Sequence, residues 1–147
     1  MSGIAGILLS FNCKITGYDA GVTDITKSLN EKGIEVSNKP NLENVKNADI
    51  VVYTAAIHED NEELKYAREN NKLVFERSTF LGILMKEYEN VLCISGTHGK
   101  STTTGMVSTI FVKANLNPTI MIGAHLPIID SCLLYTSDAA DDLIGVD

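Results

Sequence analysis

Along this chain, short apolar runs alternate with longer stretches in which apolar residues recur every three or four positions. The runs suit strands and the recurring pattern suits helices. Ile4, Ile7 and Leu8 have helical spacing, and residues 14–18 read as a short strand ending at Asp19. Residues 23–32 read as a helix with Ile25 and Leu29 on one face and Gly33 as its stop. Ile34-Glu35-Val36 alternates as a strand does, and Pro40 with its neighbouring asparagines marks a loop. Residues 48–53 lead into a buried parallel strand, with Thr54-Ala55-Ala56 at its carboxyl end. Asp60 and Glu63 have capping-box spacing for a helix that carries Leu64 and Ala67 and ends at Asn70-Asn71. Leu73-Val74-Phe75 is the next strand. Ser78 can cap a following helix with Phe80, Leu81, Leu84 and Met85 as its inner stripe.

A polar junction, Glu87-Tyr88-Glu89-Asn90, comes next, and the domain boundary is expected there. Val91-Leu92-Cys93-Ile94 then reads as a strand covered on both faces. After a glycine turn, a helix lined by Met106, Ile110 and Phe111 runs to Ala114, and Asn115 and Asn117-Pro118 break it. Thr119-Ile120-Met121-Ile122 is the last clear strand and ends at Gly123. Strands alternating with helices imply an α/β fold with a parallel, doubly wound sheet.

The turn Gly96-Thr97-His98-Gly99-Lys100-Ser101-Thr102 holds the most specific chemistry. Two glycines let backbone N–H groups converge and approach an anion closely. The helix that starts at Lys100 adds its positive dipole end and unpaired N–H groups. Lys100 supplies an ammonium, and Ser101 and Thr102 supply hydroxyls for magnesium or phosphate. These are the parts of a nucleotide phosphate cradle. The loop is shorter than G-x-x-x-x-G-K-[ST], which would need a glycine where Ile94 stands. Two weaker signals leave alternatives open. Asp19, after an early strand, suits either a ribose or a solvated turn. The small residues Thr54, Ala55 and Ala56 suit either a ligand near the backbone or close packing.

Composition narrows the function classes. The chain has 147 residues, 44% of them hydrophobic, and a net charge of −7. A core is affordable, and a general nucleic-acid surface is disfavoured. Cys13, Cys93 and Cys132 are scattered, with no metal or disulfide spacing. They are expected to be core thiols of a reducing compartment. No apolar run is long enough to span a bilayer and no signal peptide is visible, so a cytoplasmic protein without membrane partners is expected. His58 and His125 read as surface or packing residues.

The residues then support a family resemblance. Gly96-Thr97-His98-Gly99-Lys100-Ser101-Thr102 resembles the short phosphate loop G-T-[HN]-G-K-[ST]-[ST] of the Mur ligases. The opening Met1-Ser2-Gly3-Ile4-Ala5 adds to this, as do Tyr53-Thr54-Ala55-Ala56-Ile57 with Asp60-Asn61-Glu62-Glu63, and Pro118-Thr119 leading to Gly123. The resemblance runs to about residue 130 and is greatest to the members that join L-alanine to UDP-N-acetylmuramate. It implies ATP and Mg²⁺ as cofactors and an acyl-phosphate intermediate. It also implies a Rossmann-like domain over 1–88 that binds the UDP part, with Asp19 and Thr54-Ala55-Ala56 as contacts. Residues 89–130 would begin a central P-loop ATPase domain. There Gly96, Thr97, His98, Gly99 and Lys100 would hold phosphates, Lys100 would act on the transferred phosphoryl group, and Ser101 or Thr102 would bind magnesium.

The same resemblance implies departures. The family's first strand and its G-x-G-G-x-G turn are expected before Met1, which aligns inside that motif, so the first sheet is expected to lack a strand. The family's acidic magnesium-binding segment and its amino-acid-binding domain are expected beyond this stretch, so the piece is expected not to ligate by itself. Residues 131–147 resemble translated sequencing-library adapter and are left out of the fold expectation, with Asp138, Asp141 and Asp142 given no role. Three other readings stand beside the main one: a ligase that recycles murein peptides, a Rossmann nucleotide-binding module without ligase chemistry, and a phosphate-loop kinase or GTPase. Oligomeric state is left open.

Overall fold

The computed structural model describes residues 1–123 and two later strands, Leu134–Thr136 and Asp142–Val146. The chain forms two compact units. One is Asn12–Ile83, and the other joins Met1–Phe11 to Leu84–Asp147.

The Asn12–Ile83 unit is built from two parallel strand pairs. β1 (Thr16–Tyr18) pairs with β2 (Glu35–Ser37), with Gly17 opposite Val36, and α2 (Asp24–Glu31) connects them. β3 (Ile50–Tyr53) pairs with β4 (Leu73–Glu76), with Val52 opposite Phe75, and α4 (Glu62–Glu69) connects them. Parallel neighbours need such a crossover. The two pairs are separate sheets, so among the described residues each strand has one hydrogen-bonded neighbour. The strand at residues 48–53 is therefore not fully buried as expected. Ile50 and Leu73, opposite each other, are both exposed.

Local chemistry explains the helix limits. Thr23 caps α2 by accepting from the Thr26 N–H, and the Thr26 hydroxyl accepts from the Thr23 N–H at 2.9 Å. Gly33, at φ 85°, takes the left-handed turn that lets the chain enter β2. Thr26 is the buried residue of this helix, while Ile25, expected inside, is exposed. Thr23→Ala should lower unfolding stability by about 1 kcal/mol. A urea denaturation midpoint equal to that of the parent chain would count against this cap.

A helix absent from the sequence reading, α3 (Leu42–Asn47), fills the stretch after Pro40. Asn41 caps it by accepting from the Glu43 N–H at 3.0 Å, and Val45 is its buried anchor. The Asn41 N–H in turn donates to Glu63 Oε1 at 2.7 Å. This corrects the expected pairing of Asp60 with Glu63. Glu63 ties α3 to α4, and Asn61 caps α4 by accepting from the Leu64 N–H. Leu64 and Ala67 are buried as expected, and Asn71 ends the helix at φ 54°. Ser78 is also corrected. It lies within α5 (Arg77–Leu84), and its hydroxyl donates to Glu76 Oε1. Phe80 and Leu84 are buried, in line with the expected stripe.

The other unit contains α1 (Ser2–Ser10), β5 (Asn90–Ile94), α6 (Lys100–Lys113), β6 (Thr119–Ile122), β7 (Leu134–Thr136) and β8 (Asp142–Val146). Its sheet has the order β5-β8-β6-β7. β6 and β7 are parallel, and β8 runs antiparallel to both β5 and β6. A segment left out of the fold expectation thus supplies two strands, and the sheet is mixed rather than wholly parallel. The chain divides near Leu84 rather than after residue 88, and α1 belongs with the later unit. Burial gives the reason: Ile4 and Ile7 are covered, and α1 lies against β6 and β7.

β6 is the core of this unit, with Ile120, Met121 and Ile122 all buried. β5 stands at the sheet edge, so Leu92 and Cys93 are exposed instead of covered on both faces. Cys13 is exposed too, which overturns the core-thiol expectation for both, while Cys132 lies outside the described residues. α6 turns Thr104, Gly105 and Ser108 inward, and Met106 and Ile110, expected inside, are 61% and 62% exposed. Small residues let the helix sit close to the sheet, and the larger side chains take the outer face.

Candidate functional site

The phosphate-loop candidate joins the end of β5 to the start of α6. Gly96 has φ 156° and Gly99 φ 76°, both costly for other residues. Gly99 is the N-cap of α6, with ψ 3°, and no side chain caps the helix. The first helical bond runs from the Thr103 N–H to the Gly99 carbonyl at 2.9 Å. Among the described residues no side chain caps these first N–H groups, an arrangement that suits an oxyanion. Gly96, Thr97, His98 and Gly99 are exposed, while Lys100 and Ser101 are half-buried.

Lys100 folds back over the loop. Its Nζ donates to the Gly96 carbonyl at 2.7 Å, which places the ammonium within the turn. The Thr104 hydroxyl donates to the Lys100 carbonyl at 3.0 Å and anchors the first turn from its buried side. Ser101 and Thr102 follow in the same turn of helix. Among the described residues, no cluster of three or more His, Cys, Asp or Glu side chains could hold a metal ion.

The remaining candidates lie in the Asn12–Ile83 unit. Asp19 follows β1, and its Oδ1 accepts from the Gly21 N–H at 2.9 Å, an aspartate turn. Its own N–H donates to the Ser37 carbonyl and extends the β1–β2 pair by one residue. Thr54, Ala55 and Ala56 form a turn directly after β3, closed by the Ile57 N–H donating to the Thr54 carbonyl at 3.0 Å. Ala55 and Ala56 are exposed, so packing does not account for their small size. His58 is exposed, and His125 lies outside the described residues.

Sequence reading missed a cluster beside this turn. Arg68, near the end of α4, makes a two-pronged ion pair with Glu59 of the β3–α4 loop. Its guanidinium carbon also stands 5.9 Å from the centre of the Tyr53 ring. The bond from Arg68 holds the Glu59 carboxyl below the ordinary carboxylate range. Glu59 and Arg68 are nine positions apart, beyond the i,i+4 spacing that reveals helix pairs.

No helix among the described residues is long and apolar enough to cross a membrane. The pattern described as "Mur ligase family, catalytic domain" matches residues 1–89, more than half of the chain. A UDP-N-acetylmuramate–L-alanine ligase of Clostridium botulinum (strain Okra) is 50% identical over 130 residues, which is 88% of this chain and 28% of that protein. The ligase of the same name from Clostridium acetobutylicum is 48% identical over 134 residues, or 91% of this chain and 29% of that protein. The chain thus spans a little over a quarter of the length of the curated relatives it matches. Among solved structures, a UDP-N-acetylmuramate–alanine ligase from Thermotoga maritima aligns with a TM-score of 0.79 at 25% identity, covering 93% of this chain and 32% of that one. A murein peptide ligase from Psychrobacter arcticus shares the fold, with a TM-score of 0.77 at 23% identity over 89% of this chain and 28% of that one. By sequence pattern and by fold, the chain belongs to the Mur ligase family.

Proposed function

We propose that this chain is part of an ATP-dependent ligase that joins L-alanine to UDP-N-acetylmuramate in peptidoglycan precursor synthesis. The observation that carries the reading is the 50% identity over 130 residues to a ligase of that name. A matched stretch of that length within 147 residues must include the Gly96–Thr102 loop. Transfer of the γ-phosphoryl group from ATP to the muramoyl carboxylate would give an acyl phosphate and ADP, and attack by the L-alanine amine would then break the acyl–phosphate bond, forming the amide and releasing inorganic phosphate and a proton.

The residues present suit that work. The backbone N–H groups from Gly96 to Lys100 would bind the ATP phosphates, with Thr97 and His98 shaping the turn between the glycines. Lys100 would offset charge on the transferred phosphoryl group, and Ser101 or Thr102 would ligate Mg²⁺. The unit carrying this loop would be the start of the ATP-binding domain. The Asn12–Ile83 unit would bind the UDP part at the carboxyl ends of its strands, through Thr54, Ala55 and Ala56 and the outer oxygen of Asp19. Because the chain spans about a quarter of its relatives, ligation is assigned to the longer protein and not to this piece alone.

The test is phosphate release by the full-length protein with ATP, Mg²⁺ and UDP-N-acetylmuramate, each amino acid being added in turn. Turnover should require L-alanine. Turnover with an L-alanyl peptide instead would identify a murein-recycling ligase, and phosphoryl transfer without amide formation would sink the ligase reading.

A further inference from the structure

We propose that Arg68 is a positioning residue that holds the Thr54–Ile57 turn in its binding shape, gripping Glu59 in the loop beyond the turn and setting its cation over the ring of Tyr53 just before it. The functional part of this proposal rests on the UDP reading of that turn given above.

The topology makes the case. Tyr53 is the last residue of β3, and Glu59 lies in the loop between β3 and α4. Arg68 sits one residue before the end of α4. A single side chain thus holds both ends of the segment that includes Thr54, Ala55 and Ala56. Within this segment and just past it, the backbone bonds among the described residues are two local turns: Ile57 N–H to the Thr54 carbonyl, and Asn61 N–H to the His58 carbonyl at 3.1 Å. Most residues of the segment are exposed, so burial does little to order it. Loops of this kind lie at the low end of local stability, where a modest restraint changes the ordered fraction appreciably.

The chemistry suits a brace better than an incidental surface pair. A planar guanidinium can meet a carboxylate with two N–H groups and still present its face to an aromatic ring, which an ammonium cannot do. Arg68 makes both contacts, and its side chain is 43% exposed against 79% for Glu59. The two contacts reach residues on opposite sides of the turn, so together they restrain it more than either would alone. A lone exposed ion pair would leave the loop free to swing about it.

The test uses the 147-residue chain and reads two quantities: amide exchange at Ile57 and Asn61, and the affinity for UDP as probe. Arg68→Ala and Glu59→Gln should each speed exchange at both amides about threefold and raise the UDP dissociation constant by a similar factor, because only the ordered fraction binds. Arg68→Lys should fall between the alanine variant and the parent. The Glu59→Arg/Arg68→Glu double variant should recover most of the protection that either reversal alone loses. Exchange at Ala67, inside α4, should stay at the parent value in every variant. Unchanged exchange at Ile57 and Asn61 in Arg68→Ala would overturn the brace, as would a double variant no better than its single reversals. If the parent chain fails to bind UDP, the UDP reading of the turn falls, and the exchange data still decide the brace.

Discussion

Replacing Lys100 by alanine in the full-length protein should, on the proposed reading, lower ATP-dependent ligation by about a thousandfold or more while leaving UDP-N-acetylmuramate affinity within about twofold. The split follows from where the residue sits. Lys100 opens α6, and its Nζ is held inside the loop by the Gly96 carbonyl. On the proposed reading, an ammonium kept there would need little reorganisation to meet a phosphoryl group, and its contribution would fall mainly on the transition state. The backbone N–H groups stay in place after the substitution, so nucleotide binding should weaken less than turnover does. Fold loss is not the expected cause, since the alanine variant keeps the Thr103-to-Gly99 and Thr104-to-Lys100 bonds that start the helix. Ligation rates with saturating ATP, set beside equilibrium binding of UDP-N-acetylmuramate, make the comparison. Retained turnover would remove Lys100 from the chemistry, and a parallel loss of UDP-N-acetylmuramate binding would assign it a structural role.

Residue types whose meaning is local were legible in the sequence. Gly96 and Gly99 stood out as turn residues, and both have the positive φ that only glycine takes readily. Gly33, Asn71 and Asn117 similarly marked places where the backbone leaves a helix or enters a strand, and each has positive φ. The alternation of strands and helices led to an α/β fold with a parallel, doubly wound sheet; the strands of the Asn12–Ile83 unit are parallel but form two separate pairs, and the other sheet is mixed.

What the sequence hid depends on partners distant along the chain. Glu63 had the spacing to cap its own helix, yet it bonds to Asn41, 22 positions earlier. Asn61, two positions before it, takes the cap, because its side chain reaches the Leu64 N–H. Val91-Leu92-Cys93-Ile94 looked like an interior strand, but its place at a sheet edge leaves Leu92 and Cys93 exposed. Apolar runs report affinity for cover and say nothing of which neighbour supplies it. The Arg68 cluster was hidden for the same reason: its members sit on a strand end, a loop and a helix end, with no shared period.

The same distinction sets up a contrast in stability. Ile120→Ala should destabilise the unit containing the phosphate loop by about 2–5 kcal/mol, while Met106→Ala should change it by less than about 0.5 kcal/mol. Sequence alone shows both as apolar residues, one lining a helix and one in a strand, and does not rank their burial. In the structure Ile120 has no exposed surface, and it lies on a strand paired on one side with β8 and on the other with β7. α1 and α6 both lie against that strand, so a cavity there has little freedom to collapse. Met106 is 61% exposed on the outer side of α6, and its removal leaves no cavity. For a unit of this size each kcal/mol shifts the melting temperature by roughly 4–8 °C. Ile120→Ala should therefore melt at least about 8 °C below the parent chain, and Met106→Ala within about 4 °C of it. Amide exchange in β6 and at the start of α6 should accelerate in the first variant only. The reverse ranking would mean that α6 presents its Met106–Ile110 side to the sheet, and the loop that opens this helix would then be turned away from its present setting against β5.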